Sequence, residues 1–257
     1  MPETIRLVHA EPLPHPVWLE MISAETLFAS TPVGIGVREE EVERLFAGVS
    51  AYQVGSLRDE LPRHLWADAA LLVRAPDLLA VSTHGAGYDT VDVAAMTAAG
   101  VLVLNQQGGN AEAVAEHTIG MMLVLLKRIP EAHRAMREGA ILINTARQFI
   151  HDEAAVLAAL ESGRLAAAGL DCWDREPQPD PENPLLSHPR VLASPHTAGV
   201  THESRRRIAT WAAEQLIGLF LRGERPPRLV NPEAWPRFAE RFARAFGRAP
   251  GTAAPAA

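Results

Sequence analysis

Ile141-Leu142-Ile143-Asn144-Thr145-Ala146-Arg147 is a short apolar run that turns polar at its end and delivers an arginine just beyond it. Asp152 then stands ready to cap a helix bearing Val156, Leu157 and Leu160 and closed by Gly163. The pattern predicts a strand over Ile141–Thr145, a helix, and further strands at Ala167–Asp171 and Val191–Ala193, with residues 175–190, rich in Pro, Asp and Asn, as a loop. Strands alternating with helices of this length argue for an α/β fold, a parallel sheet covered on both faces. Ligands of such sheets bind beyond the carboxyl ends of the strands. Each of these three strands brings a polar residue there: Arg147 from the first, Asp171 and then Glu176 from the second, His196 from the third.

The same alternation extends toward the N-terminus. Ile5-Arg6-Leu7-Val8 reads as an opening strand, residues 37–47 as an amphipathic helix, and Leu78 to Val81 as a strand that ends in a Gly-rich turn at His84–Gly87. Thr90 to Ala99 reads as a helix stopped by Gly100, and Val101 to Leu104 as the next strand. Asn110 can cap a helix from Ala111 with Val114, Met121, Met122 and Leu125 on one side. Ala115, Ile119 and Leu126 carry its apolar surface further round, as expected of a helix buried between two layers or domains. Glu203 to Arg222 reads as a helix ended by Arg225-Pro226-Pro227. The Ala/Pro/Gly-rich tail from Arg248 is expected to be disordered.

The 257 residues suffice for one large domain or two modest ones with a real core. A net charge of -7 disfavours nucleic acid. The longest apolar stretch, Ile119 to Leu126, is too short to span a bilayer. The N-terminus lacks the signature of a secretory signal, and the expectation is a soluble, cytoplasmic protein with no membrane partner. The single cysteine, Cys172, lies in the apolar run Leu170-Asp171-Cys172-Trp173 and reads as buried packing rather than a reactive thiol; no metal site is expected.

The strand-end residues suit one chemistry. An arginine can hold a carboxylate bidentately and polarise an adjacent carbonyl. A histidine can pass a proton to or from an alcohol. A glutamate beside it favours the protonated ring and fixes its orientation. Together they suit hydride transfer between a nicotinamide and a 2-hydroxy or 2-oxo acid.

Five blocks share an order: Val81-Ser82-Thr83-His84-Gly85-Ala86-Gly87-Tyr88-Asp89, Gly109-Asn110-Ala111-Glu112-Ala113-Val114-Ala115-Glu116-His117, Ile143-Asn144-Thr145-Ala146-Arg147, Glu176-Pro177, and Ser194-Pro195-His196-Thr197-Ala198-Gly199. In that order they resemble the D-isomer-specific 2-hydroxyacid dehydrogenases, across most of residues 75–235. The resemblance implies a flavodoxin-like substrate domain over 1–105 with 201–247, and a truncated Rossmann-type doubly wound NAD-binding domain over 106–200. It implies catalytic roles for Arg147, Glu176 and His196, and cofactor contacts from Asp171, Thr145 and Ala146. His84, Gly85, Ala86 and Gly87 would hold the substrate carboxylate through backbone N–H groups. Arg225-Pro226-Pro227-Arg228-Leu229-Val230-Asn231-Pro232 resembles the family's return to the substrate domain. A small 2-hydroxy or 2-oxo acid, NAD or NADP, and a second copy of the chain are the implied partners.

Two departures stand out. Gln148 and Phe149 follow Arg147 where the family has glycine, and their side chains could crowd the place of cofactor or substrate. Arg137-Glu138-Gly139 runs straight into Ala140-Ile141-Leu142-Ile143, where the family carries a dinucleotide-binding segment. Such a segment needs a strand, a Gly-rich turn and a helix whose N-terminus faces the pyrophosphate. Gly34-Ile35-Gly36-Val37-Arg38-Glu39 is the best stand-in, but it has Glu39 at the third glycine with Glu40 and Glu41 behind it. Carboxylates at a helix start repel a pyrophosphate. The three remaining strands would be strands 4 to 6 of the order 3-2-1-4-5-6, leaving strand 141–145 as an exposed apolar edge. The chain is then expected to bind NAD weakly or not at all. Three readings stay open: a dehydrogenase that still works, a non-catalytic carboxylate-binding or dimerising remnant, and a deletion product without selected activity.

Overall fold

The computed structural model describes residues 4–58, 61–126, 139–176 and 179–251. They form two compact units, residues 1–110 with 202–257 and residues 111–201.

The first unit is built on a parallel sheet. Its strands are β1 (Ile5–Ala10), β2 (Phe28–Val33), β3 (Ala51–Val54), β4 (Ala80–Thr83) and β5 (Leu102–Leu104), in the order β2-β1-β3-β4-β5. This is the flavodoxin-like order, which reverses between β1 and β3. β3 and β4, inside that order, and β5 at its end are buried along their whole length, with helices covering both faces of the sheet. On one face Ile5, Leu7, Ala51, Ala80 and Leu102 pack with Trp18 and Ile22 of α1 (Val17–Ser23). Leu216 and Phe220 of α8 (His202–Arg222), with Phe238 and Phe242 of α9 (Trp235–Phe246), complete that layer. On the other face Val8, Tyr52, Val81 and Val103 pack with Val42 and Phe46 of α2 (Glu39–Phe46), Leu71 of α3 (Ala69–Arg74) and Met96 of α4 (Val93–Ala99).

Local sequence fixes several of these boundaries. The Asp68 carboxylate accepts from the N–H groups of Ala70 and Leu71 at 2.9 and 3.1 Å, starting α3. Asp92 accepts from Ala95 at 3.0 Å to start α4, and Gly100 ends that helix at φ 72°, where a side chain would be strained. The return segment docks through fully buried Asn231, whose Oδ1 accepts from Val103 N at 2.8 Å and whose Nδ2 donates to Val101 O at 2.9 Å.

The second unit opens on α5 (Ala111–Leu126) and carries β6 (Ala140–Asn144), α6 (Glu153–Glu161), β7 (Leu165–Leu170), the one-turn α7 (Pro184–Ser187) and β8 (Val191–Ala193). β6, β7 and β8 are parallel and lie in that order, with β6 at the edge among the described residues. Asp152 caps α6 by accepting from Ala155 N at 2.9 Å. Val156, Leu160, Ala168, Leu170, Trp173 and Leu185 form the core.

Three expectations need adjusting. The stretch 175–190 is not loop throughout: Asn183 accepts from Leu185 N at 3.0 Å and caps α7. In the tail expected to be disordered, Arg248 lies over the Phe242 ring and Gly251 N donates to Gly223 O at 2.7 Å; residues 252–257 lie outside the described residues. Leu125 and Leu126 of α5 belong to its course, but their side chains lie outside what is described.

Candidate active site

β7 ends at Leu170, and the next residue, Asp171, has no exposed surface. Its Oδ1 accepts from Ser194 Oγ at 2.5 Å and from Thr197 N at 2.9 Å, while Oδ2 accepts from Ala198 N at 2.9 Å. The Asp171 carbonyl takes the N–H of His196 at 2.7 Å. One buried acid therefore organises the whole turn after β8. His117 on α5 reaches the same cluster, with Nε2 3.2 Å from Ser194 Oγ and 3.9 Å from Asp171 Oδ1. The sequence offers Asp171 both as a cofactor contact and as a cap for the next turn; its carboxylate accepts three hydrogen bonds within the turn that carries His196.

That turn places His196 at φ 50°, a left-handed conformation that costs a non-glycine residue about 1 kcal/mol or more. The ring is then held by Glu176, whose Oε2 lies 2.8 Å from His196 Nδ1. Glu176 is itself fixed, Oε1 accepting from Trp173 N at 3.2 Å, and the Trp173 indole donates to Ser194 O at 2.9 Å. The structure thus joins two residues 20 apart in sequence into one hydrogen-bonded pair. With Nδ1 committed to the carboxylate, Nε2 is the nitrogen left to exchange a proton with a ligand.

Arg147 follows β6 on a turn clamped by Asn144. Asn144 Oδ1 accepts from Ala146 N at 3.0 Å, and its Nδ2 donates to Arg147 O at 2.9 Å and sits 2.9 Å from His151 Nδ1. Thr145 Oγ1 lies 3.0 Å from Thr118 Oγ1, so that side chain is turned to α5, while Ala146 is exposed. Phe149 stands at φ 60° with 71% of its surface exposed, so it does not fill the turn around Arg147. Cys172 is fully buried. Burial, then the charges of Glu176 and Asp171, push its thiol up to about 12, against a smaller pull from Arg147.

The turn His84–Gly87 belongs to the first unit, beyond the carboxyl end of β4. Gly85 O accepts from Gln106 N at 3.0 Å and from Thr83 Oγ1 at 2.8 Å, and Ala86 O accepts from Asn105 Nδ2 at 2.9 Å. In a planar trans peptide the N–H points opposite to the C=O. Anchoring those two carbonyls inward therefore aims the Ala86 and Gly87 N–H groups outward, as a carboxylate-binding turn requires. His84 is pushed down to about 3 by burial and then by His9, so its imidazole is neutral and contributes no cationic charge.

The acidic turn at Gly34–Glu41 is not a phosphate seat. Glu39, Glu40 and Glu41 fill the first turn of α2; Glu40 and Glu41 pair with Arg38 at 2.8 and 3.2 Å, and Glu39 with Arg74 at 2.6 Å. Sequence reasoning named Arg147, Glu176 and His196 but missed the groups that hold them: Asn144, Ser194 and His117. Asn144 at a strand end was a visible turn signal. The others become legible only through contacts distant in sequence.

The family model for the NAD binding domain of D-isomer specific 2-hydroxyacid dehydrogenases matches residues 119–198. Residues 119–198 are thus similar to the NAD binding domain of the D-isomer-specific 2-hydroxyacid dehydrogenases. A glyoxylate reductase of Korarchaeum cryptofilum is 48% identical over 103 residues, 40% of this chain and 30% of the relative, so that match spans under a third of the relative's length. A glyoxylate reductase of Thermofilum pendens is 26% identical over an alignment of 268 positions that uses 65% of this chain and 78% of the relative. An alignment longer than the chain itself contains a substantial set of the relative's positions with no residue here. The fold is shared with an NADPH-dependent glyoxylate/hydroxypyruvate reductase from Sinorhizobium meliloti, crystallised with NADP and malonate. The TM-score is 0.70 at 22% identity, over 90% of this chain and 98% of that one. No helix among the described residues is long and apolar enough to cross a membrane.

Proposed function

We propose that this chain carries the carboxylate-binding and proton-handling part of an NAD(P)-linked oxidoreductase acting on small 2-hydroxy or 2-oxo acids. The observation that carries the proposal is the Glu176–His196 pair at 2.8 Å on a turn locked by buried Asp171. His196 Nε2 gives a proton to the oxygen of a carbonyl becoming an alcohol, or takes it in reverse; Glu176 stabilises the imidazolium through Nδ1. Arg147 holds the acid and polarises the carbonyl beside it. In the first unit, taken by itself, the N–H groups of Ala86 and Gly87 are donors suited to a carboxylate.

The hydride is a separate matter. The described residues do not fit a dinucleotide: the sheet of the second unit has three strands, and the one Gly-x-Gly turn that opens a helix places three carboxylates at its start. NAD(P) is therefore expected to bind weakly or not at all to this chain. The edge of β6, without a partner strand among the described residues, with Ala140 exposed and Ile141, Leu142 and Ile143 half-buried, favours a second reading. In that reading the scaffold serves as a carboxylate-binding module that pairs with a second copy.

Calorimetric titration with NADH and an NADH-oxidation assay with glyoxylate, pyruvate and hydroxypyruvate test both. Turnover lost on His196→Ala and on Arg147→Ala is the expected result for a working enzyme. Unchanged rates in both variants would remove those roles, and a low-micromolar NADH dissociation constant would refute the missing-seat argument.

A further inference from the structure

Cys172 takes no part in the proton relay, yet it stands against it. Its Sγ, a carboxylate oxygen of Glu176 and a ring nitrogen of His196 all lie within 4.8 Å of one another. Soft sulfur, borderline imidazole nitrogen and hard carboxylate oxygen make a donor set suited to zinc, and one thiolate plus one carboxylate neutralise a divalent ion. We propose that Cys172, Glu176 and His196 form a three-ligand site for Zn2+ or a similar borderline-soft divalent cation, with water in the fourth position.

The geometry suits an ion that replaces the proton now shared between His196 Nδ1 and Glu176 Oε2. Tetrahedral zinc takes nitrogen and oxygen at about 2.0–2.2 Å and sulfur at about 2.3 Å, so its ligand atoms stand about 3.3–3.6 Å apart. The His196–Glu176 separation of 2.8 Å must open by about half an ångström to reach that spacing. The thiol must approach by no more than about 1.5 Å from the 4.8 Å limit of the cluster. His196 keeps some exposed surface, 18% of its side chain, and gives the ion its entry. Binding is balanced: the thiol proton and any proton held between His196 and Glu176 pass to solvent as the metal–ligand bonds form. With its ring committed to a metal, His196 can no longer exchange a proton with an acid, so the ion acts as an inhibitor of the relay.

The chain's single cysteine makes the test specific. Co2+ titrated into the full-length, metal-free protein is expected to develop a saturable one-to-one thiolate-to-cobalt charge-transfer band, bleached by Zn2+. Glu176→Gln and His196→Gln should weaken Co2+ binding by about tenfold or more. Cys172→Ser should abolish the band. No such band at saturating Co2+ in the unaltered chain overturns the proposal without recourse to any variant. So does a Co2+ affinity unchanged in either the His196 or the Glu176 variant. None of these readouts depends on turnover or on NADH, so the result stands apart from that of the proposed function.

Discussion

Asp171→Asn is the most informative single substitution. It keeps the shape of the side chain and the two backbone bonds at position 171, from Asp171 N to Asn144 O at 2.9 Å and from His196 N to Asp171 O at 2.7 Å. It changes only what the carboxylate can accept. The amide oxygen can retain Ser194 Oγ and Thr197 N, both now on Oδ1, but the amide NH2 then faces the Ala198 N–H that Oδ2 accepts at 2.9 Å. A buried donor left without a partner costs about 1–3 kcal/mol. The two surviving bonds fall from charge-assisted to neutral strength, which costs about 1 kcal/mol more. The turn that keeps His196 at φ 50° is therefore expected to lose about 2–4 kcal/mol. Native-state amide exchange reads this locally. Protection at Thr197 and Ala198 should fall by about 30- to 1000-fold, at about 1.4 kcal/mol per factor of ten. Protection at Ala198 within threefold of the parent would show that the carboxylate does not hold the turn, and the account of how His196 is placed would fail.

Other consequences follow from single positions. Burial holds His84 at about 3 in the folded chain against 6.5 in the unfolded one, so only the unfolded chain gains a proton between those values. Stability should then drop on acidification from pH 6.5 toward 3, by at most about 1.4 kcal/mol per pH unit, and His84→Gln should flatten that slope in urea titrations. A Cβ at Gly139 would lie 2.8 Å from both Ala166 N and Gly163 O, backbone atoms that cannot swing aside. Gly139→Ala should cost about 1–3 kcal/mol in chemical unfolding, and a neutral result would show that the join into β6 is looser than described.

The two units were unequally legible. In the second, strand ends and caps are local signals: Asp152 before an apolar helix and Asn144 at the end of an apolar run say where the chain turns. In the first unit, β2, Phe-Ala-Ser-Thr-Pro-Val, escaped recognition because an edge strand tolerates a proline and polar residues that a central strand excludes. α9 escaped too, although Phe238 and Phe242 recur at helical spacing on a buried stripe, because the Pro-rich return masked the start of an amphipathic segment.

Sequence alone determined which polar groups arrive at the ends of three consecutive strands, because strand, cap and turn signals are read over a few residues. It also determined that no Gly-x-Gly-x-x-Gly unit opens a helix, because that requirement is written in consecutive positions. Only the tertiary structure decided where those groups point. Asp171 turns into the loop after β8, His196 is forced into a left-handed turn against Glu176, and Cys172 comes to lie beside both. Those outcomes depend on hydrogen bonds between residues 20 or more positions apart, and the register of parallel strands, not local propensity, sets them.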